Sequence, residues 1–142
     1  MVHIFIIHHL LTYIGGIKAM LHETAITVAG EATSFENIIE LLKSKTPHVL
    51  LISERLTGIA ETLIALGNLL PDMKILLLVE AYTQEHLHKM VEWGAHHAIH
   101  EAANKNELIQ NIIALHNDTE HLPHDAQKIV NDIRRKQLAM HC

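Results

Sequence analysis

Several polar residues that could do chemistry stand at or just after the ends of short apolar runs. They are His8 and His9, Ser53, Glu80 and Glu101, next to the runs "HIFII" (3–7), "VLLIS" (49–53), "KILLLV" (74–79) and "HAIH" (97–100). Imidazole and carboxylate groups bind borderline metal ions such as zinc, and a serine hydroxyl becomes a good nucleophile only when a base activates it. The chemistry therefore depends on whether the fold brings these side chains together.

The segments that position them alternate between two periodicities. Runs rich in branched apolar residues predict five strands buried on both faces, at 3–7, 25–30, 49–53, 74–79 and 97–100. The segments between and after them carry apolar stripes at helical spacing. The stripes are Leu10, Ile14, Ile17 and Leu21; Ile38, Leu41 and Leu42; Ile59, Leu63, Leu66 and Leu70; Leu87, Met90 and Val91; and Leu108, Ile112 and Leu115.

Strands that alternate with helices predict a parallel sheet with right-handed crossovers and helices on both faces. In such a sheet the carboxyl ends of the strands meet at one edge, where ligands bind in open α/β folds. We call this edge the rim. The sequence therefore predicts that His8, His9, Ser53, Glu80 and Glu101 lie along the rim.

Length, charge and cysteine content exclude several classes of protein. The 142 residues, 49% apolar and 19% charged, fit one domain and leave no room for a second full domain. A net charge of −5 with scattered basic residues does not supply the basic surface that nucleic-acid binding needs. The single cysteine, Cys142, excludes an internal disulfide. The apolar start lacks the basic segment of a signal peptide. We therefore predict a cytoplasmic protein that neither binds DNA by itself nor enters a membrane.

Over residues 2–117 the sequence resembles a response-regulator receiver domain, and in particular the receivers of the LuxR-type (NarL/FixJ-like) subgroup. The resemblance rests on "VAGEATSFENIIELL", "TPHVLLISERLTG", "LPDMKILLL" and "VEWGAHHAIHE". It implies an α/β fold, the flavodoxin-like (βα)5 three-layer sandwich, whose parallel five-stranded sheet has the order 2-1-3-4-5. It also implies a receiver-like domain at 1–118, followed by a linker and C-terminal helix at 119–142.

The resemblance also identifies the residues at the phosphorylation-site positions of the family. The position of the family's acidic pair is occupied by His8 and His9, and that of the phospho-accepting aspartate by Ser53. The hydroxyl residue is replaced by Val79, the switch aromatic by Ala98 and the lysine by Glu101. Phosphoryl transfer from a phosphohistidine needs a carboxylate nucleophile, and Mg²⁺ needs hard oxygen ligands. A carboxylate in place of the lysine repels phosphoryl oxygens. The resemblance therefore implies a degenerate receiver, or pseudo-receiver, which is not an enzyme and uses no cofactor.

Two further interpretations concern the carboxylates of the rim. Glu54 could be an acceptor shifted by one position, but neighbours in a strand point to opposite faces, so it should aim away from His8 and His9. Alternatively, His8 or His9 forms an ion pair with Glu101, which keeps the family's opposite-charge contact with its signs reversed. Such a pair would raise the pKa of the histidine.

The sequence also leaves metal binding open. A zinc-like ion could be held by His8, His9 and Glu101, with Glu80 as a further ligand. A second candidate cluster is His96, His97 and His100. With fourteen histidines in the chain, most must be surface substitutions without a site of their own.

The residues after the receiver-like domain predict a separate helix over 123–139. Pro123 suits its first turn, Asp125 its positive end and Arg134–Lys136 its negative end. An apolar stripe at water is unfavourable, so this helix should dock on its own receiver or pair with a copy of itself. We predict a homodimer. The interface candidates are Trp93, Ile129, Val130 and Ile133.

In LuxR-type regulators a similar segment links the receiver to a helix-turn-helix domain, which here would begin beyond Cys142. The resemblance therefore implies a phosphorylation-independent interaction and dimerisation module. It would regulate transcription through a C-terminal domain absent from this chain and bind DNA only through that domain. The alternative is a stand-alone adaptor that sequesters a kinase or another regulator through the receiver surface, and a third hypothesis is a metal-binding domain.

Overall fold

The computed structural model describes residues 1–119 and 122–141, and this part of the chain contains five strands and six helices. The strands are β1 (Val2–Ile7), β2 (Ile26–Ala32), β3 (Val49–Ser53), β4 (Lys74–Val79) and β5 (His97–His100). The helices are α1 (Leu11–Leu21), α2 (Ile38–Lys45), α3 (Ile59–Leu69), α4 (Gln84–Glu92), α5 (Lys105–His116) and α6 (His124–His141). Cys142 and part of the predicted linker, 120–121, lie outside the described residues. No helix of the described ranges is both long and apolar enough to cross a bilayer.

The five strands form one parallel sheet in the order β2-β1-β3-β4-β5, which confirms the predicted topology. All five residues of the central strand β3 are buried, as expected for a branched apolar run covered on both faces. The pairing of neighbouring strands continues to the carboxyl ends of β1, β4 and β5, where Ile7 lies beside Ile52 and Val79 beside His100. All strands therefore run toward the same edge, the rim.

Helices cover both faces of the sheet, and each face has its own core. Helices α1 and α5 pack on one face through residues such as Ile14 and Ile112, and α2, α3 and α4 pack on the other, where α6 adds residues to the same core. Most residues of the predicted stripes are buried. Leu10 and Leu41 are exposed instead, at 50% and 38%. Leu10 lies before the first residue of α1. Leu41 lies in α2, but this helix buries Ile38 and Leu42.

Helix α6 docks on α4 of the same chain. Ala126, Val130 and Ile133 are buried together with Leu122 in the core that α4 shares. The expected interface is thereby corrected, because Val130 and Ile133 are covered by their own chain and cannot face a partner while α6 is docked. Two other interface candidates, Ile129 and Trp93, are partly buried against the same core, so part of each surface is still exposed. The apolar stripe of the tail is therefore covered within one chain.

A close approach between β1 and β2 explains why residue 30 is a glycine. The pairing of these strands shifts between Ile4 and Phe5, so that Gly30 rather than Ala29 lies beside Phe5. A Cβ atom on Gly30 would stand 2.6 Å from Cε2 of the Phe5 ring, and Phe5 is buried with 1% exposure. The ring fills the place that a side chain would need.

Gly30→Ala is therefore expected to lower the free energy of unfolding by about 1–3 kcal/mol, the usual cost of overpacking a core. Urea denaturation measures the loss. Gly67→Ala is the matched control, because Gly67 lies in α3 with nothing within 4 Å of its Cβ position. The control should be neutral or gain up to about 1 kcal/mol of helix propensity. Equal stability of the two variants would contradict the close contact with Phe5.

Candidate functional site at the rim

The structure places the predicted rim residues at the carboxyl edge of the sheet. His8 and His9 follow β1, Ser53 ends β3, and Glu80 and Glu101 follow β4 and β5. The pairing of the sheet continues beyond the strand ends, since the Glu54 N–H donates to the Leu78 carbonyl and the Glu101 N–H donates to the Val79 carbonyl. The parallel topology therefore brings the predicted positions to one edge.

Arg55 is the central cation of the rim, and sequence reasoning missed it. Its Nη2 lies 3.0 Å from Oε1 of Glu80 and 3.2 Å from Oε1 of Glu101. The three side chains are partly exposed, so each ion pair contributes no more than about 1 kcal/mol to stability. Their arrangement nevertheless links the ends of β3, β4 and β5 through one guanidinium group. The available signal was a single arginine two residues after the strand end at Ser53.

The predicted ion pair between a rim histidine and Glu101 is wrong. The carboxylate of Glu101 contacts Arg55, whereas His8 is buried with 2% exposure. Nδ1 of His8 accepts a hydrogen bond of 3.0 Å from the Leu10 N–H, and the ring stacks on Tyr13 with centroids 4.1 Å apart. Burial, followed by the charges of His9 and Arg55, lowers the pKa of His8 to about 4. The expected direction of the shift is therefore reversed.

Tyr13 connects α1 to the rim. Its hydroxyl donates a 2.7 Å hydrogen bond to the backbone carbonyl of Glu101, and burial, with the nearby Glu101 charge, raises the pKa of Tyr13 to about 12. The His9 ring stacks on the other side of His8 at 4.5 Å, so the three rings form one column. This column occupies the start of the β1–α1 connection, where the resemblance places the family's acidic pair.

Ser53 is enclosed at the end of β3. It is 1% exposed, and its Oγ accepts a hydrogen bond of 3.2 Å from the Arg55 N–H, which closes the turn after the strand. Within residues 1–119, none of the hydrogen bonds of Ser53 joins it to a histidine or a carboxylate that could act as a base. Val79 and Ala98 are fully buried in the core on the α2–α4 face. These two positions therefore contribute packing at the rim and no polar group.

Glu54 turns toward the start of α4. Its side chain is 7% exposed, and Oε2 accepts a 2.6 Å hydrogen bond from the Glu80 N–H and lies 3.5 Å from Nε2 of His86. Nδ1 of His86 in turn contacts Oγ1 of Thr83, the residue that caps α4. The contacts of Glu54 are thus with the β4–α4 connection and not with His8 or His9.

The metal-site hypotheses find no support in residues 1–119 and 122–141, where no group of three His, Cys, Asp or Glu residues is arranged to hold an ion. In the first set, His8 and His9 stack on each other and the carboxylates contact Arg55. In the second set, each ring contacts a different group. His96 Nδ1 accepts from the Ile75 N–H, His97 Nε2 is 3.0 Å from Asn111 Oδ1, and His100 Nδ1 accepts from the Ala102 N–H.

No protein-family model and no curated protein sequence matches the chain. Its structure is similar to that of a LuxR-family two-component response regulator from an Aurantimonas species, with a TM-score of 0.78 and 18% identity over 93% of this chain and 96% of that one. It is also similar to the non-phosphorylated receiver domain of the stress response regulator RcsB from Escherichia coli, with a TM-score of 0.75 and 18% identity over 86% of this chain and 98% of that one.

A third similar structure contains two RcsB dimers bound to two parallel DNAs, with a TM-score of 0.76 and 15% identity over 92% of this chain and 68% of that chain. The three comparisons agree on the same sheet-and-helix architecture. The chain therefore has the fold of response-regulator receiver domains, as the resemblance in sequence predicted.

Proposed function

We propose that this chain is a pseudo-receiver, a phosphorylation-independent interaction and dimerisation module that regulates transcription through a helix-turn-helix domain. The observation that carries the proposal is the position of Arg55. Its guanidinium group bridges Glu80 and Glu101, and its backbone N–H holds the hydroxyl of Ser53. The rim is thereby closed by contacts within the chain.

The same groups are unsuited to phosphoryl transfer. Ser53 is buried and its hydroxyl is a weak nucleophile without an activating base. His8, whose pKa is about 4, is a neutral imidazole near neutral pH and a poor substitute for the carboxylate oxygens that Mg²⁺ prefers. Glu101 adds negative charge where phosphoryl oxygens would need a cation. Signalling through this module would therefore depend on binding a partner and not on a phosphorylated state.

The proposed partners are a second copy of the chain and another protein at the receiver surface. RcsB dimers bound to DNA provide the precedent on the same fold. Twofold dimers are the commonest homo-oligomers, and regulators that read palindromic sites use them. The net charge of −5 argues against direct DNA binding by this part of the protein, so contact with DNA is assigned to the helix-turn-helix domain.

The proposal predicts that phosphodonors leave the protein unchanged. Incubation with acetyl phosphate and Mg²⁺, or with beryllofluoride, should alter neither the intact mass nor the amide NMR spectrum, because the carboxylate acceptor and the lysine are replaced by Ser53 and Glu101. A receiver domain that retains its aspartate is the positive control for the donor. A mass increase of one phosphate, or a shifted spectrum with beryllofluoride, would overturn the proposal.

A further inference from the structure

Two histidines occupy equivalent places at the amino edge of the sheet, opposite the rim. His48 directly precedes β3, and His96 directly precedes β5. The His48 N–H donates to the His3 carbonyl at 2.8 Å, and the His3 N–H donates to Nδ1 of His48 at 2.9 Å. The His96 N–H donates to the Ile75 carbonyl at 2.9 Å, and the Ile75 N–H donates to Nδ1 of His96 at 2.9 Å. We call each reciprocal pair a clasp.

Both clasps require an unprotonated ring nitrogen. A neutral imidazole accepts a hydrogen bond at one nitrogen, whereas the protonated ring has two donors and no acceptor. Protonation at Nδ1 would therefore place a ring N–H against the backbone N–H of His3 or Ile75. Both hydrogen bonds are partly buried, so losing the acceptor leaves a donor that water satisfies only if the edge opens.

We propose that the two clasps form an acid-sensitive latch at the amino edge of the sheet, and that protonation of His48 and His96 opens it by separating β1 from β3 and β4 from β5 at that edge. The latch goes beyond the proposed function, because it concerns the edge of the sheet opposite the rim. It would make strand pairing at this edge depend on pH, without any phosphoryl group.

The surroundings of His48 oppose a positive charge. The rings of His3 and His116 lie 5.4 Å and 4.7 Å away between centroids, and the amine of Met1 is also near. Burial, followed by the charges of His116, His3 and this amine, lowers the pKa of His48. Lys43 and Asp72 line the same cavity of about 420 Å³ as His48 and add one charge of each sign.

The charges near His96 are mixed. Lys74 precedes Ile75 in β4 and forms a 2.7 Å ion pair with Asp118 after α5. Hydrogen bonding and charge from Lys74, with smaller effects of His96 and His116, lower the pKa of Asp118. Arg134 of α6 and His97 line a cavity with His96. The negative charge of Asp118 favours a protonated His96 ring, and the positive charges of Lys74 and Arg134 oppose it. The clasp requires a neutral ring.

The sign of the pH dependence follows from the neutral clasps. A histidine of the unfolded chain is protonated below a pKa of 6.5, whereas burial and the neighbouring charges lower the pKa of His48 in the folded chain. In both clasps the hydrogen bond that Nδ1 accepts favours the neutral ring. Below that pH the unfolded chain binds more protons, so folding weakens as pH falls. The His48 clasp can lower the folding constant by up to about tenfold per pH unit until its own ring is protonated.

Asparagine provides a substitution that keeps the clasp and removes its titration. The Oδ1 atom of asparagine and the Nδ1 atom of histidine are separated from Cα by the same number of bonds. Oδ1 accepts hydrogen bonds at every pH. In the wild type, acidification below pH 6.5 should reduce hydrogen-exchange protection of the His3 and Ile75 amides and shift the urea midpoint downward. His48→Asn with His96→Asn should retain more protection and a smaller midpoint shift.

His22→Asn is the matched control, because the His22 side chain is 79% exposed and takes no part in the sheet; it should behave as the wild type does. The latch would be overturned if acidification reduced the hydrogen-exchange protection and lowered the urea midpoint equally in the wild type and the double variant. If the double variant does not fold, ring-nitrogen NMR of the wild type decides the question. Unprotonated Nδ1 in His48 and His96 at neutral pH supports the latch, and protonated Nδ1 at that pH rejects it.

Discussion

Val130→Asp is expected to lower the free energy of unfolding by on the order of 3–5 kcal/mol, the cost of leaving an uncompensated charge in a core. Val130 is 1% exposed and lies in the core that α6 shares with α4. The chain can limit the cost by releasing α6, but release exposes Leu122, Ala126 and Ile133 as well. Urea denaturation measures the loss, and limited proteolysis after residue 116 detects a released helix.

Asn131→Asp is the matched control, because it adds the same charge one residue along α6 at an exposed position. The carboxylate that this substitution introduces can still accept the hydrogen bond that the Gln127 side chain donates to Asn131. The control should keep the stability of the wild type within about 0.5 kcal/mol. If Val130→Asp were as stable as the control, α6 would not dock on α4 in solution.

Light scattering coupled to size exclusion on the same samples tests the proposed homodimer. The chain has a mass of 16.0 kDa, and the wild type should elute with twice that mass. A dimer lost in Val130→Asp and kept in Asn131→Asp would show that dimerisation requires α6 to be docked on α4. A dimer kept in both would move the interface to the receiver helices, and a wild-type monomer would remove dimerisation from the proposed function.

The fold was predictable because buried segments can be identified from the spacing of their apolar residues. A strand covered on both faces must be apolar at every position, which makes "VLLIS" at 49–53 readable as β3. Even the four-residue β5 was identified, since the helical stripes on either side of it define where it must lie. The rim followed from topology alone, because parallel strands that alternate with helices all end at one edge.

The partners at the rim were less predictable because they depend on side-chain directions across separate connections. Arg55 and Glu101 are 46 residues apart, and nothing in the local pattern couples them. Of two adjacent histidines, His8 is buried and His9 is exposed, and only the path of the β1–α1 connection decides which. The same limit applies to the tail, whose apolar stripe predicted a partner without identifying α4 as that partner.

The buried imidazole of His8 makes the stability of the domain depend on pH. The pKa of His8 is about 4 in the folded chain and 6.5 as an unperturbed group. Between these values the unfolded chain binds a proton that the folded chain does not, so stability is complete above pH 6.5 and falls as pH decreases toward 4. At about 1.4 kcal/mol per pH unit, the loss approaches roughly 3 kcal/mol.

His8→Asn should remove this loss, because Oδ1 can accept from the Leu10 N–H as Nδ1 does while the side chain no longer titrates. Unfolding free energies of the wild type and the variant should therefore converge as pH falls, even if the lost stacking on Tyr13 makes the variant less stable at neutral pH. His9→Asn, at an exposed position, is the control and should follow the wild type. The pKa of His8 by NMR is the direct measurement. A value at or above 6.5, as an ion pair with Glu101 would require, would show that the ring is not held neutral by burial.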